Sequence, residues 1–543
     1  MNGAVPPEAV PPQTAAPTPS APSTGRVLVT ASLILTVAAL ASRVLGWMRL
    51  LVIGSQFGAS RELDAYFAAF RIPDAIFQLV VAGALSAALI PVFASYRARE
   101  QEREAWQLAS SIINLVVIAL AGLSLIMAIF APLIVPVVAP GFDAPTTELT
   151  VRLTRVMLLS PVFIGMGAVV SGILNSYQRF TIPAVAPLVY NLAIILAAIV
   201  LAPIIGIEGL AVGVAIGSLA HLVIQLPDLG RVGQRYDLTI GLSHPGVRKV
   251  AWLMGPRMLG LAAGQLNFIV STILASGLPE GSITAYNYAF QLSQIPVGVL
   301  GVSVAVALFP TLSRDAALGH VSEIRRQVAG SLRVLIFLAA PLTAVMVVLA
   351  GPIASVFFQY GLFSPRSADR TADALVFFAL GLIGHIVVHV LTRAFYAMQD
   401  TRTPVLWAIF AVAINVPLMV ILVGPMGVQG LALALSISAL LEVLALVWSL
   451  HRRIESVDEG AVIRALARSG VAAVAAGLVM LGALTVVRGV APDVLENGLS
   501  RLVALIVLAG SGTAIYIVVA AALRAPELGQ VRSLLRRGLG SPS

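Results

Sequence analysis

Arg43 and Arg49 stand six residues apart inside an apolar run long enough to cross a bilayer, and an ionisable side chain at the centre of such a run costs at least about 2.5–3.5 kcal/mol unless it meets a cavity or a partner. Arg43 lies about 15 residues into the run, roughly 22 Å at the helical rise, too deep to snorkel easily to a surface. It is expected to face water or an anion, and Arg49 follows on approximately the same side. In the next run Asp64 stands near the start, and Arg71 and Asp74 are i,i+3 neighbours on one helix face. Two outcomes are open there: Arg71 neutralises Asp74 while Arg49 snorkels outward, or the arginines share one basic site.

Further along, His385, His389 and Arg393 recur every four residues and so share one face. Two histidines at i,i+4 can hold a metal, but no glutamate lies between them and no third ligand is identifiable, so the expectation is no metal and a polar stripe facing a cavity or a neighbouring helix. His221, Arg257 and Glu442 complete the set of intramembrane ionisable groups. His221 and Glu442 are 221 residues apart, which suggests a proton or cation relay, or two separate hydrogen bonds to neighbouring helices. No glycine-rich phosphate loop, HExxH or paired acidic metal motif occurs, and no sizeable polar domain exists to house an enzyme.

The elements that must position these groups are membrane helices. The chain has 543 residues, 59% hydrophobic and only 11% charged, far from the roughly 25% charged of a soluble domain. Fourteen apolar spans are expected near 28–57, 64–96, 107–136, 151–175, 183–204, 207–227, 248–276, 283–310, 329–350, 370–397, 403–423, 427–450, 464–487 and 500–523. Basic residues collect in alternate loops, among them Arg97, Arg99 and Arg103, Arg179, Arg231, Arg314, Arg325 and Arg326, Arg402, and Arg452 and Arg453. The other loops carry almost none, so both termini are expected in the cytoplasm. The formal charge of +9 therefore reads as orientation rather than as affinity for nucleic acid. Residues 1–26, with repeated Ala-Pro steps, read as a disordered tail and not as a signal peptide. The absence of cysteine excludes disulfides, thiolate metal sites and a cysteine nucleophile.

A repeat runs through the chain at a separation of 221 residues: Gln178, Pro183, Gly206, Gly209, Leu210 and Ala211 recur as Gln399, Pro404, Gly427, Gly430, Leu431 and Ala432. A looser match sets Ala65, Tyr66 and Pro91 against Ala285, Tyr286 and Pro310. Six spans per repeat give both halves the same orientation, and such halves usually enclose a central cavity whose access alternates. The expected fold class is an all-α polytopic membrane protein of about fourteen helices in two six-helix lobes, 27–229 and 247–452, with an appended helix pair at 463–524 and a basic cytoplasmic tail at 525–543.

Several segments resemble the MurJ/MviN family, the lipid II flippases of the bacterial inner membrane, within the wider group that also holds the MATE multidrug exporters. They are Ser42-Arg43-Val44-Leu45-Gly46 with Arg49; Phe57-Gly58; Asp64-Ala65-Tyr66-Phe67; Ile173-Leu174-Asn175, Arg179-Phe180 and Ile182-Pro183; Phe358-Gln359-Tyr360-Gly361; and Phe395-Tyr396, Gln399-Asp400-Thr401 and Thr403-Pro404. The resemblance covers nearly everything from residue 36 to 450. It implies two lobes around a cationic cavity, with the last two helices forming a groove for a polyprenyl tail. It also implies a substrate-binding set of Ser42, Arg43, Gly46, Arg49, Asp64 and Arg71, because a diphosphate needs basic donors in a dehydrated site.

Departures accompany it. Where family members carry further charged residues, this chain has Phe77, Gln78, Ala82 and Gln291. Arg257, His385, His389 and Arg393, with Gln291, are the candidates to complete the cavity. The sodium site of some members needs carboxylates on helices seven and eleven, and neither helix has one here, which leaves membrane potential or another ion as the coupling force and no cofactor. The resemblance thus implies a non-enzymatic flippase for lipid II in the bacterial cytoplasmic membrane. The alternatives are a same-fold transporter of another polyprenyl-diphosphate-linked sugar or amphipathic cargo, and a transport-inactive scaffold whose partners are cell-wall synthesis proteins.

Overall fold

The computed structural model describes residues 24–79, 86–233, 236–496 and 498–539. The tail expected at 1–26 falls outside these as far as residue 23, as does Ala82. Every described element is a helix, as long apolar runs demand when backbone groups must be satisfied within the segment.

In the first half, α1 (Thr24–Phe57) is followed by α2 (Arg61–Phe77) and α3 (Ser86–Ala98), then α4 (Glu102–Val138), α5 (Ala144–Met157), α6 (Ser160–Ser176), α7 (Thr181–Val200), the single turn α8 (Ala202–Ile205), α9 (Glu208–Val223) and α10 (Leu226–Arg231). The second half repeats the pattern with α11 (Pro245–Ser276), α12 (Ser282–Pro296), α13 (Ser303–Ala317), α14 (Val321–Val348), α15 (Ala350–Phe358), α16 (Pro365–Leu380), α17 (Leu382–Ala397), α18 (Arg402–Met426) and α19 (Val428–Ile454). After it come α20 (Glu459–Val490), the short α21 (Asp493–Glu496), α22 (Gly498–Ala522) and α23 (Pro526–Leu539).

Eleven of the described helices are long and apolar enough to cross a membrane, twelve if α16 and α17 count as one span bent by 46°. Among the described residues the expected fourteen is not confirmed as a count. The second expected span falls on α2 and α3, and the seventh on α11. The bend between α16 and α17 has a local cause. Gly381 lies so close to α19 that a Cβ there would clash with Ser436, and the Ser436 hydroxyl donates to the Phe377 carbonyl at 2.6 Å, satisfying a group that the break releases.

The repeat is written into the backbone. Gln178 and Gln399, non-glycine residues 221 apart, both adopt a left-handed φ, 59° and 60°, and Gly206 and Gly427 do the same at 67° and 58°. Both glutamines end a helix before a short turn, so the same exit geometry is built twice. Their neighbours carry reversed charges in equivalent roles: Arg179 pairs with Asp228 at 3.4 Å, and Asp400, its counterpart, with Arg453 at 3.1 Å.

Packing is dominated by neighbours within each half, as in α1 against α7, α7 against α9, α12 against α16 and α18 against α19. Helices α14, α20 and α22 join the appended pair to the second half. Buried Arg501 of α22 donates to the Ser355 carbonyl at 3.1 Å and to Gln359 Oε1 at 3.0 Å. The stretch after 525, expected as a basic tail, is helix α23 through Leu539. It is fastened by Glu527, 2% exposed, which accepts from Arg333 Nε at 2.9 Å.

Candidate functional site

The site is built where the halves meet. Pro296 has no N–H for the helical ladder, and immediately after it the chain runs as a π-helix over Val297–Val302 before α13 resumes. Arg43 of α1 reaches this segment from the other half. Its guanidinium lies beside Gly298, where a Cβ would stand 3.4 Å from Nη1. Arg43 is exposed, with its head group against the opposite half. Gly46, one turn on, has open space where a Cβ would stand, and Ser42 is half-buried. Arg49 is half-buried.

Arg71 spends its hydrogen bonds elsewhere than on Asp74, with which it makes no direct ion pair among the described residues. Its Nε donates to Thr272 Oγ1 at 3.0 Å and its Nη2 to Asn287 Oδ1 at 2.6 Å, with Phe268 beneath the guanidinium at 5.2 Å. A single side chain of the first half thus ties α11 and α12 of the second. Asp74 accepts instead from Gln78 at 3.5 Å and, among the described residues, has no ion pair.

Asp64, expected among the substrate ligands, is buried in a different role. Its Oδ2 accepts from the Gly281 N–H at 2.7 Å, and Oδ1 accepts from the Thr284 N–H at 2.8 Å and the Thr284 hydroxyl at 2.7 Å. The carboxylate caps the N-terminus of α12, where backbone N–H groups lack helical acceptors. With three donors already on it, it fastens the two halves rather than meeting an anion.

Around this cap the halves close on each other reciprocally. The Leu362 N–H donates to the Ser55 carbonyl at 2.7 Å, and the Gly141 N–H donates to the Ser276 hydroxyl at 3.0 Å. Ser55 and Ser276 are 221 residues apart, so one contact is the image of the other. Gly361, at φ 58°, approaches so closely that a Cβ would overlap Ser55, and one on Gly141 would overlap Ser276 and Gly277. The Arg61 N–H donates to Glu280 Oε1 at 2.9 Å, and Arg370 donates to the Glu280 carbonyl.

Of the stripe on α17, His389 meets the same π-helix and Arg393 meets α13. The His389 ring lies against Gly301, and Arg393 stands 5.3 Å over the Phe309 ring. His385 and His389 are half-buried, and no cluster of three or more metal-binding side chains exists among the described residues. Gln291 of α12 is exposed. The side chain of Arg257 lies outside the described residues. His221 packs against Gly167 of its own half, its Nδ1 buried without a hydrogen bond. Glu442, half-buried on α19, has no ion pair or hydrogen bond among the described residues. The structure does not bring these last two together.

Sequence reasoning missed Thr272, Gly281, Thr284 and Asn287. One signal was available: Thr284 is the counterpart of Asp64 at the 220-residue shift that aligns Ala65-Tyr66 with Ala285-Tyr286.

A family model described as Lipid II flippase MurJ matches residues 53–495. The chain belongs to the lipid II flippase MurJ family. Lipid II flippase MurJ of Burkholderia cenocepacia is 34% identical over 422 residues, which cover 76% of this chain and 82% of that protein. A probable lipid II flippase MurJ of Rhizobium tropici is 29% identical over 518 residues, 93% of this chain and 96% of that one. Among solved structures, a lipid II flippase MurJ in an inward closed conformation superposes with a TM-score of 0.76 at 25% identity, covering 93% of this chain and all of that one (100%). An inward-facing multidrug resistance transporter of the MATE family shares the fold, with a TM-score of 0.63 at 15% identity over 78% of this chain and 96% of its own. Membership in the MurJ family makes this a multi-pass membrane protein of a transporter family.

Proposed function

We propose that the chain is a flippase that moves lipid II, a polyprenyl-diphosphate-linked glycolipid, from the inner to the outer leaflet of the bacterial cytoplasmic membrane by alternating access and without covalent chemistry. The observation that carries the reading is Arg43: an exposed guanidinium deep in a membrane helix, set against the π-helix of the opposite half. A diphosphate reaching it exchanges its water for charge-assisted hydrogen bonds, and the forked guanidinium suits phosphate oxygens.

In this reading Arg43 and Arg49 receive the diphosphate beside Ser42 and Gly46, and His389 borders the π-helix while Arg393 lies against α13. Arg71 and Asp64 hold the halves together. The basic loops face the cytoplasm and both termini lie there, so the Asp64 closure seals the periplasmic side. The units that rock are the two lobes, 27–229 and 247–452. Opening outward then requires the Asp64, Ser55 and Ser276 contacts to break while equivalent closure forms at the basic face.

Complementation tests this. In cells depleted of their own lipid II flippase, the wild-type chain restores growth and Arg43→Ala, produced at the same level in the membrane, does not. Rescue by that variant would remove Arg43 from the mechanism.

A further inference from the structure

At the basic face, away from the space between the halves, α14, the linker between α19 and α20, and α23 enclose a cavity of about 450 Å³ lined by Ser322, Arg325, Arg326, Arg333, Asp458 and Gln530, among others. Three arginines face one aspartate across it. Their existing partners differ greatly in hold. Arg333 is locked by Glu527 in a pair that is 19% and 2% exposed, which fixes one wall of the cavity by pinning α23 to α14. Arg325 gives Nη2 to the Ile454 carbonyl at 2.7 Å and meets Glu455 only at 3.5 Å, on a carboxylate that is 90% exposed. Its Nε is buried without a hydrogen-bond partner. Arg326 pairs with Glu323 on the surface, at 77% and 36% exposure. Exposed pairs of this kind contribute little and exchange readily, so two guanidiniums keep donors for another anion. The first turns of α14 add the positive end of a helix.

The position selects the chemistry. Helix α23 lays apolar Leu528 and Val531 on a cluster with Phe337 and Tyr516, keeps Arg532 exposed, and has Arg536 and Arg537 in its sequence. A basic amphipathic helix lying across the ends of membrane helices sits at headgroup depth.

We propose that this cavity is a binding site for a phosphate group, presented by an anionic lipid headgroup of the adjacent leaflet or by a free phosphate. Occupancy draws Arg325 and Arg326 of α14 towards Gln530 of α23 and so couples the second half to the appended helices.

The test uses the full chain in a neutral detergent, with thermal unfolding followed during titration with short-chain phosphatidylglycerol, short-chain phosphatidylcholine and inorganic phosphate at constant ionic strength. The expected result is a saturable rise in Tm with phosphatidylglycerol and none with phosphatidylcholine. In Arg325→Gln/Arg326→Gln the apparent affinity falls at least about tenfold, the loss of one charge-assisted hydrogen bond or more. A saturable rise with inorganic phosphate that the same variant weakens supports the site and assigns it to a free phosphate. Arg326→Gln alone, at an exposed position, guards against misfolding and weakens binding by a smaller factor. A rise of equal affinity in wild type and both variants, or no saturable rise with any of the three ligands, overturns the proposal.

Discussion

Asp64 and Thr284 are counterparts in the two halves, 220 residues apart in sequence, and their side chains meet at 2.7 Å. Equivalent positions of a twofold arrangement can touch only near its axis, so this contact lies close to the axis that relates the halves. The chain has placed different residues at the two positions, a carboxylate in one and a hydroxyl with its own helix N-terminus in the other. Two identical aspartates there would repel, whereas the Asp64 carboxylate accepts two hydrogen bonds from Thr284 and a third from the Gly281 N–H.

Removing the carboxylate leaves those donors without acceptors. Asp64→Ala is expected to destabilise the closed form by about 3 kcal/mol, and Thr284→Val, which keeps the backbone donors satisfied, by about 1 kcal/mol. The double variant should be no worse than Asp64→Ala alone, because the residues share one interaction. Denaturant or thermal unfolding of the purified chain measures all three.

A cysteine-free chain allows the closure to be locked. With Ser55→Cys and Leu362→Cys, oxidation is expected to join the halves where Leu362 donates to Ser55, abolishing transport. Reduction restores it. Transport that persists in the fully crosslinked protein would show that this face need not open.

Arg71 separates charge from geometry. Arg71→Lys keeps the charge but cannot reach Thr272 and Asn287 in the same fork, so transport should fall about tenfold, as for loss of one to two kcal/mol of hydrogen bonding. Asn287→Leu should match it, and the pair combined should add nothing further.

One pH effect is expected outside the spans. Burial pushes the Asp400 carboxyl up, but hydrogen bonds from the Thr403 hydroxyl and N–H, the nearby Arg453 charge and the Arg402 N–H outweigh it and hold the group below 3.8, its ordinary value. A depressed carboxylate stabilises the fold above its unfolded value and loses that contribution as pH falls through the folded one. The Tm gap between wild type and Asp400→Asn should therefore be constant from neutral pH down to about 5 and shrink below about 4. A gap that is independent of pH would show that Asp400 acts without its charge.

Particular residues show why only part of this was legible in the sequence. Matching Gln178 with Gln399 and Gly206 with Gly427 foretold real structural equivalence, since each pair shares a left-handed backbone. Hydropathy gave the depth of Arg43, Arg71 and Asp64, but depth does not name partners. Arg71 and Asp74 look paired from their spacing, yet Arg71 turns to residues more than 200 positions away. Asp64 looked like a ligand because a carboxylate in a membrane run needs a reason, and its reason is the start of a helix in the other half. The π-helix after Pro296 and the bend at Gly381 depend on which helix packs alongside. Helix α23 was hidden because its basic composition suggests a tail, while Glu527, its anchor, matters only through Arg333 on α14.

The central claim is that Arg43 and Arg49 form the receiving site for a lipid diphosphate that crosses the membrane between the halves. Its most direct test is translocation of headgroup-labelled lipid II in vesicles carrying the reconstituted chain, read as the fraction of label that a membrane-impermeant quencher reaches over time. The account predicts transfer with the wild-type chain and a rate at least about tenfold lower for Arg43→Ala and Arg49→Ala, at equal protein incorporation. Equal rates for wild type and both variants, or no transfer above that of empty vesicles, would contradict it.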